Sequence, residues 1–327
     1  MTQRSLLFIS KGEDSASTRY RAFTYFPYLQ KAGWQTRHLA ATQGPLRRLN
    51  ILRQARRADV VVIIRKTLSP LFLWLLRKAA RRLVFDFDDA IFVRSNGEPS
   101  KRRKQGFRRT MAACNAVWAG NQYLADAAAE INDHVSVLPT SIRPDKYNLT
   151  IDKAQDHLDL VWIGSHSTRK YLLEALPALE SLAQQYPQLR LKIIADFDLE
   201  SSHLNTLPVT WSENAEAEEL ARSHIGIAPM QDNPWTRGKC ALKILQYMAA
   251  GLPVVASPAG VNKDVVLDDE TGYLVETETE WTNRLQTLIA NPALRERLGR
   301  QGRQRVLDSY SEASTASKML ADLNSLV

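Results

Sequence analysis

The sequence predicts an α/β fold made of two Rossmann-like domains, each built on a parallel sheet. Short apolar runs alternate with helical patterns along the whole chain, as they do where helices cover both faces of a parallel sheet. The length of 327 residues suits two domains of about 150 residues each. The charge also divides the chain, because residues 1–150 contain 26 Lys and Arg against 11 Asp and Glu, whereas residues 151–327 contain 17 against 24. We therefore expect domains over residues 1–150 and 151–307, followed by a C-terminal helix over residues 308–327.

The predicted strands form two sets, one in each half of the chain. They are Leu6–Ile9, Val60–Ile64, Leu83–Phe87, Ala116–Ala119 and Val135–Leu138, then Leu158–Ile163, Leu189–Ile194, a strand at Val209, Ile225–Ala228, Val254–Ala256 and Tyr273–Val275. Helical patterns cover Tyr20–Ala32, Leu124–Ile131, Tyr171–Tyr186 and Tyr310–Leu326. Sheets of this kind bind ligands at the carboxyl ends of their strands, so we expect the site in the crevice between the two domains.

The composition argues against several classes of protein. Two cysteines, Cys114 and Cys240, give neither a disulfide framework nor a zinc spacing, which favours a reducing, cytoplasmic setting. The first apolar run is too short for a signal peptide, and no run approaches the roughly 20 apolar residues of a membrane span. The six histidines have no ligand spacing, and no P-loop, G-x-G-x-x-G or H-E-x-x-H motif is present. We predict no bound metal and no cofactor.

The most informative segment is GKCALKILQYMAAGLPVV, residues 238–255. Its apolar spacing predicts a helix that ends at Gly251, and Pro253 precedes a buried strand. The N-terminus of this helix, with Gly238 and Lys239 beside it and Lys243 in its first turn, combines unpaired N–H groups with positive charge. A diphosphate is the natural ligand of such a site.

The segment and its continuation, QYMAAGLPVVASPAGVNKDVV, resemble the nucleotide-sugar half of the retaining glycosyltransferases of family 4, which have the GT-B fold. The resemblance implies two Rossmann-like domains facing across a cleft, with the helix over residues 308–327 returning to the first. In the family two glutamates hold the donor sugar and the ribose. Gly238 stands at the first of these positions and Gln246 at the second, and an amide can still hydrogen-bond a ribose.

A second donor candidate follows the predicted strand that ends at Gly164. In the resembled family an arginine directly after this glycine and a lysine six residues after it neutralise the departing diphosphate. Lys170 keeps the lysine position, Ser165 replaces the arginine, and Arg169 or Lys239 can substitute for the missing charge. The alternative for Lys170 is a solvated position at the start of a helix.

The run FDFDDAIF places three carboxylates at the end of a first-half strand and resembles a bacterial branch of the same family. Asp86 and Asp88 share one face of the strand by alternation. The resemblance implies that they contact the acceptor, and one of them can receive the proton of the acceptor hydroxyl. The alternative is a structural cluster in which they pair with arginines.

Three further residues are candidates for binding the acceptor. Arg19 and Arg21 fall in the first turn of a helix that Ser17 or Thr18 is expected to cap, where cations are disfavoured unless they face an anion. They either face the acceptor or pair with the strand-end aspartates. Asn121 caps the next helix and is a candidate to touch the acceptor.

Basic patches occur within residues 69–82 and 101–109, where apolar residues lie beside clustered Lys and Arg. This pattern suits contact with an anionic membrane, and the alternative is a helix packed on the sheet with its basic side in water.

We expect a glycosyltransferase that moves a sugar from a nucleotide-diphosphate-sugar donor to an anionic, lipid-linked or membrane-associated glycan, without a metal. The expected role is the synthesis of a surface polysaccharide or lipopolysaccharide. Lys170 is assigned to catalysis together with Asp86 and Asp88. Two other hypotheses stay open. One is a scaffold that has lost catalysis and binds lipid or nucleic acid. The other is a haloacid-dehalogenase-like phosphatase with magnesium, in which Asp86 is the nucleophile.

Overall fold

The computed structural model describes residues 4–41 and 44–327. It divides into two compact units of nearly equal internal packing. The first unit contains Met1–Ser141, Asn233–Cys240 and Glu312–Val327, and the second contains Ile142–Asp232 and Ala241–Ser311. The change of unit near residue 141 comes earlier than the expected boundary at 150, and the segment Asn233–Cys240 joins the first unit although it lies deep in the second half of the sequence.

The first unit contains a six-stranded parallel sheet in the order β2-β1-β3-β4-β5-β6. Its strands are β1 (Arg4–Ser10), β2 (Trp34–Ala40), β3 (Val60–Ile64), β4 (Arg82–Phe87), β5 (Ala116–Ala119) and β6 (Val135–Val137). Its helices are α1 (Ala16–Arg21), α2 (Phe26–Lys31), α3 (Pro45–Ala55), α4 (Pro70–Ala79), α5 (Lys101–Ala113) and α6 (Gln122–Ala129). The chain also returns to this unit for its last helix, Glu312–Leu326.

The second unit contains a six-stranded parallel sheet in the order β12-β11-β10-β7-β8-β9. Its strands are β7 (Leu158–Ile163), β8 (Leu189–Ala195), β9 (Asn205–Thr210), β10 (Ile225–Ala228), β11 (Val254–Ala256) and β12 (Gly272–Leu274). Its helices are α7 (Arg169–Gln185), α8 (Glu216–Ala221), α9 (Leu242–Ala249), α10 (Asn262–Val265), α11 (Glu278–Ala290) and α12 (Pro292–Arg305), followed by a π-helical turn over Val306–Tyr310. The terminal helix Glu312–Leu326 is α13.

Alternation along the strands builds an apolar core on each face of the first sheet. Successive residues of β3 point to opposite faces, so Val61 and Ile63 pack against α3, α4 and α5, whereas Val60 and Val62 pack in a second cluster with Met319 of α13. Burial on both faces explains why these strands read as continuous apolar runs in the sequence. Because apolar side chains cover both faces of the sheet, polar residues are found mainly beyond the ends of its strands.

The predicted α/β fold with two Rossmann-like sheets is confirmed, and the differences have local causes. Strand β2 was not predicted, and β9 was predicted only at Val209, because these edge strands carry polar, partly exposed side chains. The single helix expected over Tyr20–Ala32 is interrupted, and α2 begins at Phe26 with Pro27 in its first turn. Proline fits a first turn but not a helix interior. Within the described residues, no helix is both long and apolar enough to cross a membrane.

Candidate functional site

In the first unit, charged residues gather where β3 and β4 end. Arg65 follows β3 directly and has a positive φ of 52°, a conformation that costs about 1–3 kcal/mol in a non-glycine residue. Its guanidinium lies 3.3 Å from Asp88 and 2.5 Å from Asp89, the two carboxylates that follow β4. Both carboxylates remain about 14% exposed. This cluster is partly open to solvent and is therefore available to a polar ligand.

Asp86 occupies a different environment from Asp88, although both were expected to share one role. The Asp86 side chain is fully buried and pairs with Arg21, whose Nε donates to Oδ2 at 2.9 Å. A second guanidinium nitrogen donates to the carbonyl of Leu138 at 2.8 Å. Burial alone would lower the pKa of Arg21, but the charge of Asp86 outweighs it and raises that pKa. The alternative of a structural ion pair therefore applies to Asp86 and Arg21, and neither is accessible to an acceptor.

The segment Asn233–Cys240 is hydrogen-bonded to the start of α6, directly after β5. Asn121, the N-cap of α6, accepts from the N–H of Leu124 at 2.9 Å and donates to the carbonyls of Arg237 and Lys239 at 3.0 and 2.9 Å. These three bonds occupy its carbonyl oxygen and both amide protons. The expected capping role is therefore present, and Asn121 has no proton left to donate to an acceptor.

Lys239 is also engaged within the first unit. Its ammonium lies 3.0 Å from a carboxylate oxygen of Asp89 and 3.8 Å from the ring centroid of Trp235. The neighbouring thiol of Cys240 donates to the carbonyl of Asp88 at 3.5 Å, and burial raises the pKa of this thiol to about 12. Lys239 thus completes a chain of alternating charges from Arg65 through Asp89, an arrangement that the sequence did not predict.

Gly238 lies in this segment, where the resemblance implies a glutamate, and the structure leaves no room for a side chain there. A Cβ atom on Gly238 would lie 2.5 Å from the Cβ of Ala90 and 2.6 Å from its backbone nitrogen. Real Cβ atoms do not approach other atoms so closely. A glutamate at this position would therefore clash with Ala90 in this chain.

In the second unit, cations gather around the carboxyl end of β7. Strands β7 and β10 are neighbours from which the chain runs outward in opposite directions, so their ends form the switch point at which such sheets bind ligands. The ring of Trp162 packs against Gly164, and a Cβ atom added to Gly164 would lie 2.2 Å from that ring. The ammonium of Lys243, in the first turn of α9, lies 4.5 Å from the centroid of that ring. Trp162 thus holds the lysine at the end of the strand.

The loop after β7 adds further positive charge. Arg169 at the start of α7 stacks on Phe197 at 5.5 Å, and the N–H of His166 donates to Asp196 at 2.9 Å, which fixes this loop to the one after β8. Ser165 and Lys170 are exposed. Arg169, Lys170 and Lys243 therefore lie in two segments at the carboxyl end of the second sheet, near its central strands β7 and β10.

Gln246 is buried on the inner side of α9. Its amide donates to the hydroxyl of Tyr147 at 3.3 Å, and this hydroxyl donates in turn to Glu216 at 2.5 Å. The other carboxylate oxygen of Glu216 accepts from the indole of Trp211 at 2.7 Å. The expected contact between Gln246 and a ribose would have to compete with this network. Sequence reasoning missed Glu216, because α8 contains three glutamates and only the structure shows that Glu216 is the buried one.

Of the remaining candidates, Arg19 is partly buried in α1. The N-cap of α1 is Ser15, two or three residues before the expected Ser17 or Thr18. The hydroxyl of Thr18 instead donates to the carbonyl of Gly12 at 2.6 Å and so closes the turn between β1 and α1. Arg65 and Trp162 were not among the predicted residues. A charged residue directly after a buried strand is the signal that could have identified Arg65.

Comparison with known proteins agrees with this architecture. Residues 157–291 match the family model described as "Glycosyl transferases group 1". An alpha-1,3/1,6-mannosyltransferase from Dictyostelium discoideum is 28% identical over 165 residues, which cover 49% of this chain and 34% of that protein. The matched region spans less than half the length of each curated relative.

Solved structures resemble the chain over nearly its full length. Sucrose-phosphate synthase from Thermosynechococcus elongatus superposes with a TM-score of 0.76 at 15% identity and covers 99% of both chains. HepE from Anabaena, solved in complex with UDP-glucose, superposes with a TM-score of 0.71 at 14% identity and covers 98% of this chain and 99% of its own. The chain therefore has the fold of the GT-B glycosyltransferases, and its residues 157–291 match the glycosyl transferases of group 1.

Proposed function

We propose that this protein transfers a sugar from a nucleotide-diphosphate-sugar donor to an anionic or membrane-associated glycan acceptor. The observation that carries the proposal is the cation cluster at the switch point of the second sheet. Arg169, Lys170 and Lys243 lie in the two segments that follow β7 and open α9. A diphosphate is the ligand whose charge matches them, and the solved complex of HepE with UDP-glucose supports the same class of donor.

The proposed role of this cluster is to stabilise the negative charge that grows on the diphosphate as the sugar departs. Charge-assisted hydrogen bonds contribute about 1.5–3 kcal/mol each. Lys170 is the first candidate because its side chain is exposed at the start of α7, where its ammonium lies 4.9 Å from the ring centroid of Tyr171. Ser165 and the backbone at Gly164 are proposed to bind the same diphosphate, and reaction with retention and without a metal is part of the proposal.

On the acceptor side, the geometry favours Asp88 over Asp86 as the proton acceptor. Asp88 is partly exposed beside Arg65, whereas Asp86 is buried against Arg21. In the first sheet the chain runs outward in opposite directions from β1 and β3, so the ends of these two strands form its switch point. Arg19 in α1 and Arg65 after β3 belong to the segments that leave this point. We assign these two residues to an anionic part of the acceptor.

A surface of the first unit fits contact with an anionic membrane. Among the described residues, Leu46 and Leu49 of α3 and Leu71 and Trp74 of α4 are large apolar side chains that are 57–81% exposed. The two helices pack against each other and also carry Arg47, Arg48, Arg53, Arg77 and Lys78. Apolar side chains beside cations are what an interfacial helix presents to acidic lipids. We propose that this surface brings the enzyme to a membrane-associated acceptor.

The alternative of a scaffold without catalysis has one observation in its favour, since neither family glutamate position offers a side chain to a donor. Gly238 has no space for one, and Gln246 is buried in a network. The phosphatase alternative requires an accessible nucleophile at Asp86, and that side chain is fully buried.

Turnover distinguishes transfer from the scaffold alternative. Purified protein is incubated with a panel of nucleotide sugars and a glycolipid extract, and release of nucleoside diphosphate is measured. We expect release with one sugar nucleotide, and Lys170→Ala should lower kcat/KM by about 10- to 150-fold, the loss of one charge-assisted contact. Lys318→Ala, which removes an exposed lysine from α13, is the control. Equal turnover by Lys170→Ala and wild type would contradict the assignment, and no turnover of any nucleotide sugar would favour the scaffold.

A further inference from the structure

A cavity in the first unit combines an apolar floor with a basic rim. It has a volume of about 460 Å³ and lies between residues 92–100, the first two turns of α5 and the length of α6. This α5–α6 cavity falls in the size range of small-molecule sites, about 300–1,000 Å³. None of the residues so far assigned to the donor or acceptor lines it.

The floor of the cavity is aromatic and aliphatic. Phe92 packs on Phe107 at 4.9 Å between ring centroids and on Tyr123 at 6.2 Å. Val93 and Ile131 complete the apolar wall and, like Phe92, are only partly buried. Partly buried apolar side chains around one concave surface gain free energy if an apolar ligand covers them.

The rim is positively charged. Lys101, Lys104 and Arg108 line the cavity from one side of α5, and all three are exposed. Two acidic residues, one in α6 and one directly after it, also line the cavity. Glu130 lies 3.9 Å from Arg108, and Asp126 accepts from Gln122 at 2.7 Å. Neither carboxylate is paired with Lys101 or Lys104 among the ion pairs of the described residues.

The helix that carries the rim strengthens the positive field. Six of the nine residues over 101–109 are Lys or Arg, and α5 contains no acidic residue. Its N-terminus at Ser100 also lines the cavity, so the positive end of the helix dipole points to the same place as Lys101 and Lys104. The complementary ligand has an anionic head and an apolar tail.

The position of the cavity connects it to the acceptor. Phe92 is four residues after Asp88, and four residues of chain span at most about 14 Å. Because Phe92 lines the cavity, the cavity comes within this distance of the carboxylate proposed to accept the proton.

We propose that the α5–α6 cavity binds the apolar chain of a lipid-linked acceptor that carries a phosphate. The inference rests on the proposed sugar transfer, because it names the chemical class of the acceptor. The phosphate lies against Lys101, Lys104 and the start of α5, and the first part of the lipid chain lies over Phe92 and Tyr123.

Binding of single-chain alkyl phosphates, at concentrations where they are monomeric, tests the proposal by titration calorimetry. From hexyl to octyl phosphate the affinity should rise about fourfold for each added methylene, the value for burial of one CH₂ group. Octanol and inorganic phosphate, which each lack one half of the ligand, should bind at least tenfold more weakly than octyl phosphate. An affinity that does not depend on chain length would overturn the proposal.

Two variants locate the binding site. Ala127→Trp, which places a large side chain in the cavity from α6, should weaken octyl phosphate at least tenfold, and the double variant Lys101→Ala, Lys104→Ala should do the same. The control Arg56→Ala, Arg57→Ala removes two exposed cations directly after α3 and should leave the affinity unchanged. An equal loss in the control, or binding to acidic vesicles but not to monomeric octyl phosphate, would assign the effect to the surface and refute the cavity.

The same samples separate this inference from the proposed function. Stabilisation by a nucleoside diphosphate without any alkyl phosphate binding would refute only the lipid cavity. Alkyl phosphate binding without any nucleotide effect would instead count against sugar transfer and leave a lipid-binding scaffold.

Discussion

Replacing Gly238 by alanine should destabilise the protein, because the added methyl group has no space. Its Cβ would lie 2.5 Å from the Cβ of Ala90 and 2.6 Å from the backbone nitrogen of the same residue. Carbon atoms in contact are ordinarily about 3.5–4.0 Å apart, so the overlap is about 1 Å, and the backbone nitrogen cannot rotate away. Overpacking of this kind costs about 1–3 kcal/mol. A cost of 2 kcal/mol lowers Tm by about 4–8 °C in a protein of this size.

Differential scanning calorimetry measures this change, and a second glycine provides a matched control. Gly106 lies inside α5, and a Cβ there would meet Thr67 at an ordinary distance of 3.6 Å. Gly106→Ala should therefore stabilise the protein by about 0.5–1 kcal/mol, since alanine is the better helix former. A Gly238→Ala protein as stable as wild type would refute the packing argument. A Gly238→Glu protein with improved affinity for a sugar nucleotide would refute it as well.

Three further predictions concern buried polar groups. Asp86→Asn should lower the free energy of unfolding, measured in urea, by about 3–5 kcal/mol, because it leaves the charge of Arg21 buried and unpaired. Asp88→Asn, at a partly exposed position, should lower it by less than about 1 kcal/mol. Equal losses in the two variants would contradict the different environments of the two carboxylates. Asn121→Ala should lower the free energy of unfolding by at least about 1 kcal/mol, since it removes a helix cap and two bonds to backbone carbonyls. A change below about 0.5 kcal/mol would contradict this. Burial lowers the pKa of His224 from 6.5 to about 4, so the unfolded chain takes up a proton below about pH 6.5 while the folded protein does not. The free energy of unfolding should therefore fall by up to about 3 kcal/mol between pH 6.5 and 4, and His224→Gln should remove this part of the pH dependence.

The sequence was informative wherever structure depends on local pattern. The buried strands β3, β5, β7, β10 and β11 have the predicted bounds, because residues covered on both faces form uninterrupted apolar runs. Strand β2 was missed because it lies at the edge of its sheet. Most of its side chains are polar or partly exposed, so its sequence contains no continuous apolar run. Pro27 was the overlooked signal that the helix expected over Tyr20–Ala32 would be interrupted.

The candidate site was less predictable because its contacts join residues that are distant in the sequence. Lys239 was assigned to a phosphate from its position beside a helix, yet it pairs with Asp89, which is 150 residues away. No local pattern contains that information. Lys243 and Arg169 were also assigned to the diphosphate, and the structure shows the aromatic rings that contact them, Trp162 and Phe197, which no local pattern indicated.

The most direct test of the account is thermal unfolding with UDP, GDP, ADP and CDP, each with and without magnesium and each compared with its monophosphate. A ligand at about 100 times its Kd stabilises the protein by about 2.7 kcal/mol, which raises Tm by several degrees. We expect such a rise with one diphosphate, a smaller rise with its monophosphate, and no requirement for magnesium. In Lys170→Ala the diphosphate and the monophosphate should raise Tm equally. If no diphosphate raises Tm, the cation cluster of the second unit is not a donor site, and the central claim is contradicted.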